Sequence, residues 1–117
     1  MSSDGRNAFL ILDRAAAVEC MGGDESMFDT FIDLLIEDSA DKAAEIEDAI
    51  DQNNAERLER VAHSLRGAAA TMYAERVREV AYRLEIMGQN EDLSDARVAL
   101  SCLLDELAAL KEYVSTL

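Results

Sequence analysis

The chain contains a single histidine, His63, within the stretch "VAHSLRGAAATMY" spanning residues 61–73. Imidazole is largely neutral near pH 7, so one ring nitrogen is an available nucleophile without a dedicated base. Arg66 follows by three residues. On a helix its guanidinium can lie beside any anion held on that imidazole. Gly67 follows by four residues, on the same helical face. A glycine inside a helix costs roughly 1 kcal/mol relative to alanine, a choice that makes sense where something must approach the backbone closely. A nucleophile, a cation one turn away and a bare patch together fit a phosphoryl carrier. The alternative is a neutral surface histidine among arginines that pair with acids one turn away.

The elements that position these residues read as helices throughout. Ala, Leu, Glu, Asp and Arg dominate, and there is no proline and no tryptophan. Such a composition favours helix. A short first helix runs from about 11 to 21 and ends at Gly22-Gly23, with Asp24 capping the next. Met27, Phe28, Phe31, Leu34, Leu35, Ala43, Ile46 and Ile50 then mark an apolar stripe reaching Asn53-Asn54. This is one long helix, or two joined near Asp38–Asp41 where the stripe weakens. Asn54 caps a third helix from 55 to about 72. A fourth spans about 75 to 87, with Val77, Val80, Ala81, Leu84 and Met87 inward and Gly88 closing it. Asp92 or Ser94 opens a last helix carrying Val98, Leu100, Leu103, Leu104, Leu107, Leu110 and Val114.

One apolar stripe per helix and short connections predict an all-α fold, an antiparallel up-down four-helix bundle with a short N-terminal extra helix as a lid. Residues 1–117 are expected to form one domain, with 1–8 flexible. At about 100° per residue, the core stripe of the third helix is Leu58, Val61, Ala62, Leu65, Ala69 and Met72, and His63 points roughly 150° away from it. Glu59, Gly67 and Ala70 share the face of His63, with Arg60 and Arg66 flanking it.

Charge sets the function classes aside in turn. The net charge is −14, yet residues 55–83 carry six of the eleven basic residues and are +2, leaving −16 elsewhere. An acidic protein of this kind is no partner for nucleic acid. No apolar run approaches the roughly 20 residues of a membrane span, and the N-terminus lacks a basic-then-apolar signal pattern. A soluble, cytoplasmic protein is therefore expected. Cys20 and Cys102 read as two reduced core thiols, and with one histidine they make no zinc site. No Gly-rich nucleotide loop, kinase signature or carboxylate cluster suited to Mg²⁺ is present.

The chain resembles the histidine-containing phosphotransfer (HPt) domains of multistep two-component signalling. That family's core reads approximately A-H-x-L-K-G-x-x-x-x-x-G, and this chain has Ala62-His63-Ser64-Leu65-Arg66-Gly67. "GGDESMFDTFIDLL", "AIDQNNAERLERVAHSLRG" and "AYRLEIMGQNEDL" resemble further helices of the family, so the likeness covers nearly the whole chain. The resemblance implies that His63 accepts a phosphoryl group, that Arg66 replaces the usual lysine, and that Gly67 lets a partner dock closely. Glu59, Arg60 and Ala70 would join Gly67 in that docking face. Glu85 matches a position where a Glu or Gln often orients the imidazole, the alternative being a solvated helix residue. Implied partners are a response-regulator receiver domain, a hybrid histidine kinase, or both. No cofactor is expected on this chain, Mg²⁺ being expected on the receiver. Tyr73 departs from the pattern. It stands in place of the second glycine, at a turn where a left-handed backbone would suit tyrosine poorly.

Two rivals belong to other classes. An acyl-type carrier would attach a prosthetic group at Asp38-Ser39-Ala40, although that serine falls inside a helical pattern. A receiver-docking adaptor of the same fold would bind without transfer and would not need His63.

Overall fold

The computed structural model describes residues 9–117; the expected flexibility of residues 1–8 lies outside the described residues. Five helices follow in order: α1 Arg14–Cys20, α2 Glu25–Asp51, α3 Ala55–Thr71, α4 Glu75–Gln89 and α5 Ala96–Ser115. Helix α3 packs against α2 and α4, and α5 packs against the same two from the other side. The four long helices thus close into an antiparallel bundle, with α1 resting on α2.

The helix starts are chemical. Asp13, Asp24 and Asn54 accept hydrogen bonds from the backbone N–H of Ala16, Met27 and Arg57, supplying partners for donors the helix cannot satisfy itself. The helix ends share one device. After α2, α3 and α4 the chain turns through a left-handed residue, Asn53, Tyr73 and Glu91, at φ of 51°, 59° and 53°. Gly22 does the same after α1, at φ 73°. At each of these ends two backbone N–H groups return to carbonyls of the last turn, as when Ala74 N–H reaches Ala69 C=O at 2.9 Å and Tyr73 N–H reaches Ala70 C=O at 3.1 Å. Tyr73 therefore fills the left-handed position that its residue type disfavours. Its carbonyl also accepts from Asp13 N–H at 3.0 Å, tying the chain ahead of α1 to the α3–α4 turn.

Several boundaries differ from the sequence reading. Helix α1 begins at Arg14 rather than near residue 11, because Asp13 caps it. Helix α5 begins at Ala96, after a turn in which the Asp92 carboxylate accepts from the backbone N–H and the hydroxyl of Ser94. Helix α2 is continuous. Its inward stripe weakens near residue 39 only because the buried position there is Ser39, between Leu35 and Ala43. Met27, Phe31 and Leu34 are not core residues but exposed ones. Phe28, Leu35, Ala43, Ile46 and Ile50 of the expected stripe are buried, joined by Ile32, which it did not include. Two apolar stripes lie side by side on this helix, and only one faces inward. On α5 likewise, Val98 and Leu104 are exposed while Leu100, Leu103 and Leu110 are buried. Cys20 is an exposed free thiol rather than a core one, and Cys102 is half-buried.

Gly88 does not close its helix. It lies inside α4, buried, where a Cβ would stand 2.7 Å from Glu59 N and 2.8 Å from Ala55 O. The missing side chain lets the backbones of α3 and α4 meet.

Candidate functional site

The inward stripe of α3 is the predicted one, with Leu58, Val61, Ala62, Leu65, Ala69 and Met72 all buried. Burying that face turns His63 outward, and its side chain is 64% exposed. Opposite it, α4 presents Glu85, whose neighbours Val80, Ala81 and Leu84 are buried. The Glu85 side chain is only 6% exposed. An ionised carboxylate buried to this degree requires partners, and Glu85 has two.

One carboxylate oxygen, Oε2, lies 2.8 Å from His63 Nδ1. The other, Oε1, accepts from Arg66 Nε at 2.5 Å. Arg66 Nη2 lies 3.5 Å from Oε2 and 3.1 Å from His63 Nδ1. An ionised carboxylate can only accept and a guanidinium can only donate. A bare Nδ1 lone pair facing Oε2 at 2.8 Å would be repelled, so Nδ1 carries the proton and donates it to Glu85. The lone pair of the neutral ring is then on Nε2. Burial pushes the Glu85 carboxyl up, but hydrogen bonds from Arg66 and His63 outweigh it and hold the carboxyl below its ordinary value. The hydrogen bond to Glu85 correspondingly raises Arg66.

Tyr82, which the sequence reading passed over, stands one turn before Glu85 on α4, its ring 5.7 Å from the Arg66 guanidinium carbon. Its only signal in the sequence is the spacing of three residues to Glu85.

The remaining candidates divide by position. Glu59, Arg60, His63 and Glu85, with Glu56 and Gln89, line one open depression of about 620 Å³. Gly67 lies on the other side of His63, with nothing within 4 Å of where its Cβ would be. Ala70 is exposed beyond it. Past Gly67 an apolar groove opens between α2 and α3, lined by Met21, Phe31, Leu34, Ala68, Thr71 and Met72 among others. The basic island also divides. Arg57 pairs with Asp48 of α2, and Arg76 pairs with Glu106 of α5 at 3.8 Å, so these two bind helices together rather than face a ligand. Ser39, the residue an acyl carrier would modify, is 1% exposed and sealed within the bundle. Among the described residues no group of three His, Cys, Asp or Glu side chains could hold a metal ion, and no helix is long and apolar enough to cross a membrane.

The geometry accords with comparison to known proteins. The Hpt domain family model matches residues 30–113. Two solved structures share the fold. Histidine-containing phosphotransfer protein B (HptB) from Pseudomonas aeruginosa PAO1 superposes with a TM-score of 0.84 at 20% identity, over 91% of this chain and 92% of that one. The HPT domain of an Hpt sensor hybrid histidine kinase from Shewanella gives 0.74 at 19% identity, over 92% and 96%. No curated protein sequence matches. With an outward histidine on a bundle of this topology and a family match over most of its length, the chain belongs to the Hpt domain family and has a histidine phosphotransfer role in two-component signalling.

Proposed function

We propose that this protein is a phosphoryl relay in which Nε2 of His63 exchanges a phosphoryl group with the aspartate of a response-regulator receiver domain. The observation that carries this reading is the pairing of Nδ1 with the buried Glu85 carboxylate, which leaves Nε2 as the free nucleophile on a ring 64% exposed.

In the forward step the Nε2 lone pair attacks phosphorus. The N–P bond forms, the acyl O–P bond breaks, and the aspartate leaves as a carboxylate. No proton moves, because Nδ1 already carries one. The ring becomes cationic as its lone pair is used, and Glu85 faces that charge at 2.8 Å. Arg66, one turn along α3, is the cation available to the phosphoryl oxygens. Mg²⁺, held by the receiver, would neutralise the acyl phosphate. This chain contributes position and charge.

Two surface features support a receiver as the partner. Gly67 leaves open space beside His63. The apolar groove that begins at Ala68 offers about 450 Å³ of recess next to it. A folded partner can seat apolar side chains in the groove while its own aspartate reaches His63. A hybrid histidine kinase bearing such a receiver would use the same face.

Incubation with a radiolabelled, phosphorylated receiver tests the proposal. The protein is expected to acquire phosphate that is labile in acid and stable in base, and His63→Gln to acquire none while remaining helical. Acid-labile phosphate on His63→Gln would overturn it. Binding of the receiver without any transfer would instead favour the docking adaptor.

A further inference from the structure

Arg66 has the longest side chain in the cluster, and on a helix surface such a chain samples many rotamers. Here it is only 33% exposed and is held from two sides. Glu85 takes its Nε–H and lies near Nη2, while the Tyr82 ring lies 5.7 Å from the guanidinium carbon. That distance is within the range over which an aromatic face attracts a cation. Tyr82 itself is 45% exposed. Its ring therefore adds little to the core, and α4 would fold as well with a polar residue there. In a chain with three tyrosines and three phenylalanines, one exposed aromatic ring lies against the arginine that shares Glu85 with the only histidine.

We infer that Tyr82 is a positioning residue for phosphoryl transfer, its ring confining the Arg66 guanidinium to the edge of the His63 imidazole. The inference rests on the relay reading for its consequence and on the contact alone for its geometry. Glu85 by itself does not confine Arg66, because an incoming phosphoryl group competes for the same N–H donors. When a phosphoryl oxygen draws Arg66 off Glu85, the ring remains beneath the guanidinium. Arg66 then pivots between two anions over one platform instead of swinging into solvent. Its Nη2 lies 3.1 Å from Nδ1, at the edge of the ring that faces Glu85. The phenolic hydroxyl has no hydrogen-bond partner among the described residues, which assigns the effect to the ring.

The experiment has one arm without a partner and one with it. In the free protein, the Arg66 Nε–H resonance is expected to be sharp, slow to exchange with water and displaced by the ring current. Tyr82→Ala should broaden it and return it toward the position of solvated arginines, and Tyr82→Phe should restore it. In single-turnover transfer from a phosphorylated receiver, Tyr82→Ala should slow the maximal rate about two- to fivefold, with Tyr82→Phe restoring it. The half-saturating receiver concentration should not move. In an Arg66→Ala background, Tyr82→Ala should have no additional effect on the maximal rate. An unchanged Nε–H signal in Tyr82→Ala would overturn the proposal. So would a rate effect that persists without Arg66, which would make Tyr82 a receiver contact. Should no receiver transfer phosphate at all, the relay reading fails while the first arm still decides whether Tyr82 holds Arg66.

Discussion

At the scale of the residue, the site depends on one carboxylate with two oxygens and two clients. Glu85 gives Oε2 to His63 and Oε1 to Arg66, and each pairing keeps the buried charge compensated. Arg66 is consequently more than a positive charge near a phosphoryl group. Lysine keeps the charge but gathers its donors on one atom, so it cannot hold Glu85 through Nε while leaving Nη2 for a phosphoryl oxygen. Arg66→Lys should transfer phosphate more slowly than the wild type and faster than Arg66→Ala in a single-turnover assay. Equal rates for all three would mean that Arg66 plays no part. The carboxylate also has a signature in stability. Its pairing lowers its proton affinity on folding, so its contribution is present above the unfolded value of about 4.3 and is lost as pH falls through the lower folded value. Glu85→Gln never has that contribution. The difference in melting temperature between wild type and Glu85→Gln should be largest near neutrality and shrink below about pH 4. A constant difference down to about pH 3 would show that the carboxylate is not ionised and paired as described.

At the scale of the element, two glycines within helices have opposite meanings. Gly67 faces open space, and Gly88 faces the backbone of α3 at 2.7 Å. Gly67→Ala should stabilise the fold by roughly 0.5–1 kcal/mol, since helical backbone suits alanine, and should slow transfer by crowding the receiver. Gly88→Ala should destabilise it by about 1–3 kcal/mol. It should also loosen the site, because forcing α4 from α3 moves Glu85 away from His63. Thermal unfolding of both variants decides the pair. Destabilisation by Gly67→Ala would give that glycine a backbone role. The left-handed Glu91, exposed after α4, adds a further case: Glu91→Gly should gain up to about 1 kcal/mol by removing a strained Cβ. These contrasts also mark what the sequence reveals. The inward stripe of α3 was legible because six apolar residues recur at helical spacing, and that stripe alone turns His63 outward. Gly88 was not legible, because a glycine near a helix end reads as a stop until the neighbouring helix is in place. Nor were Phe31 and Leu34, since two apolar stripes one residue apart on α2 fit the same period. Glu85 was legible through family resemblance only; its burial and its grip on Arg66 depend on how α4 is rotated against α3.

At the scale of the whole molecule, the acidic bundle keeps its one weakly basic region for the helix pair that carries the site. Part of that basicity is structural, as the Arg57–Asp48 and Arg76–Glu106 pairs show. What remains around His63 is a surface with a nucleophile at its centre, bare backbone beside it and an apolar groove next to that. If the groove seats the receiver, Phe31→Ser and Leu34→Ser should raise the half-saturating receiver concentration and leave the maximal rate unchanged. Being exposed, both should alter stability by no more than about 0.5 kcal/mol. An unchanged concentration dependence would place the partner elsewhere. The relay turns on which atom of His63 receives phosphorus. Nitrogen and phosphorus magnetic resonance of the ¹⁵N-labelled protein, phosphorylated by a receiver, identifies that atom directly. The prediction is a phosphorus-coupled Nε2 with the proton still on Nδ1; phosphorus on Nδ1, or on any other residue, would contradict it.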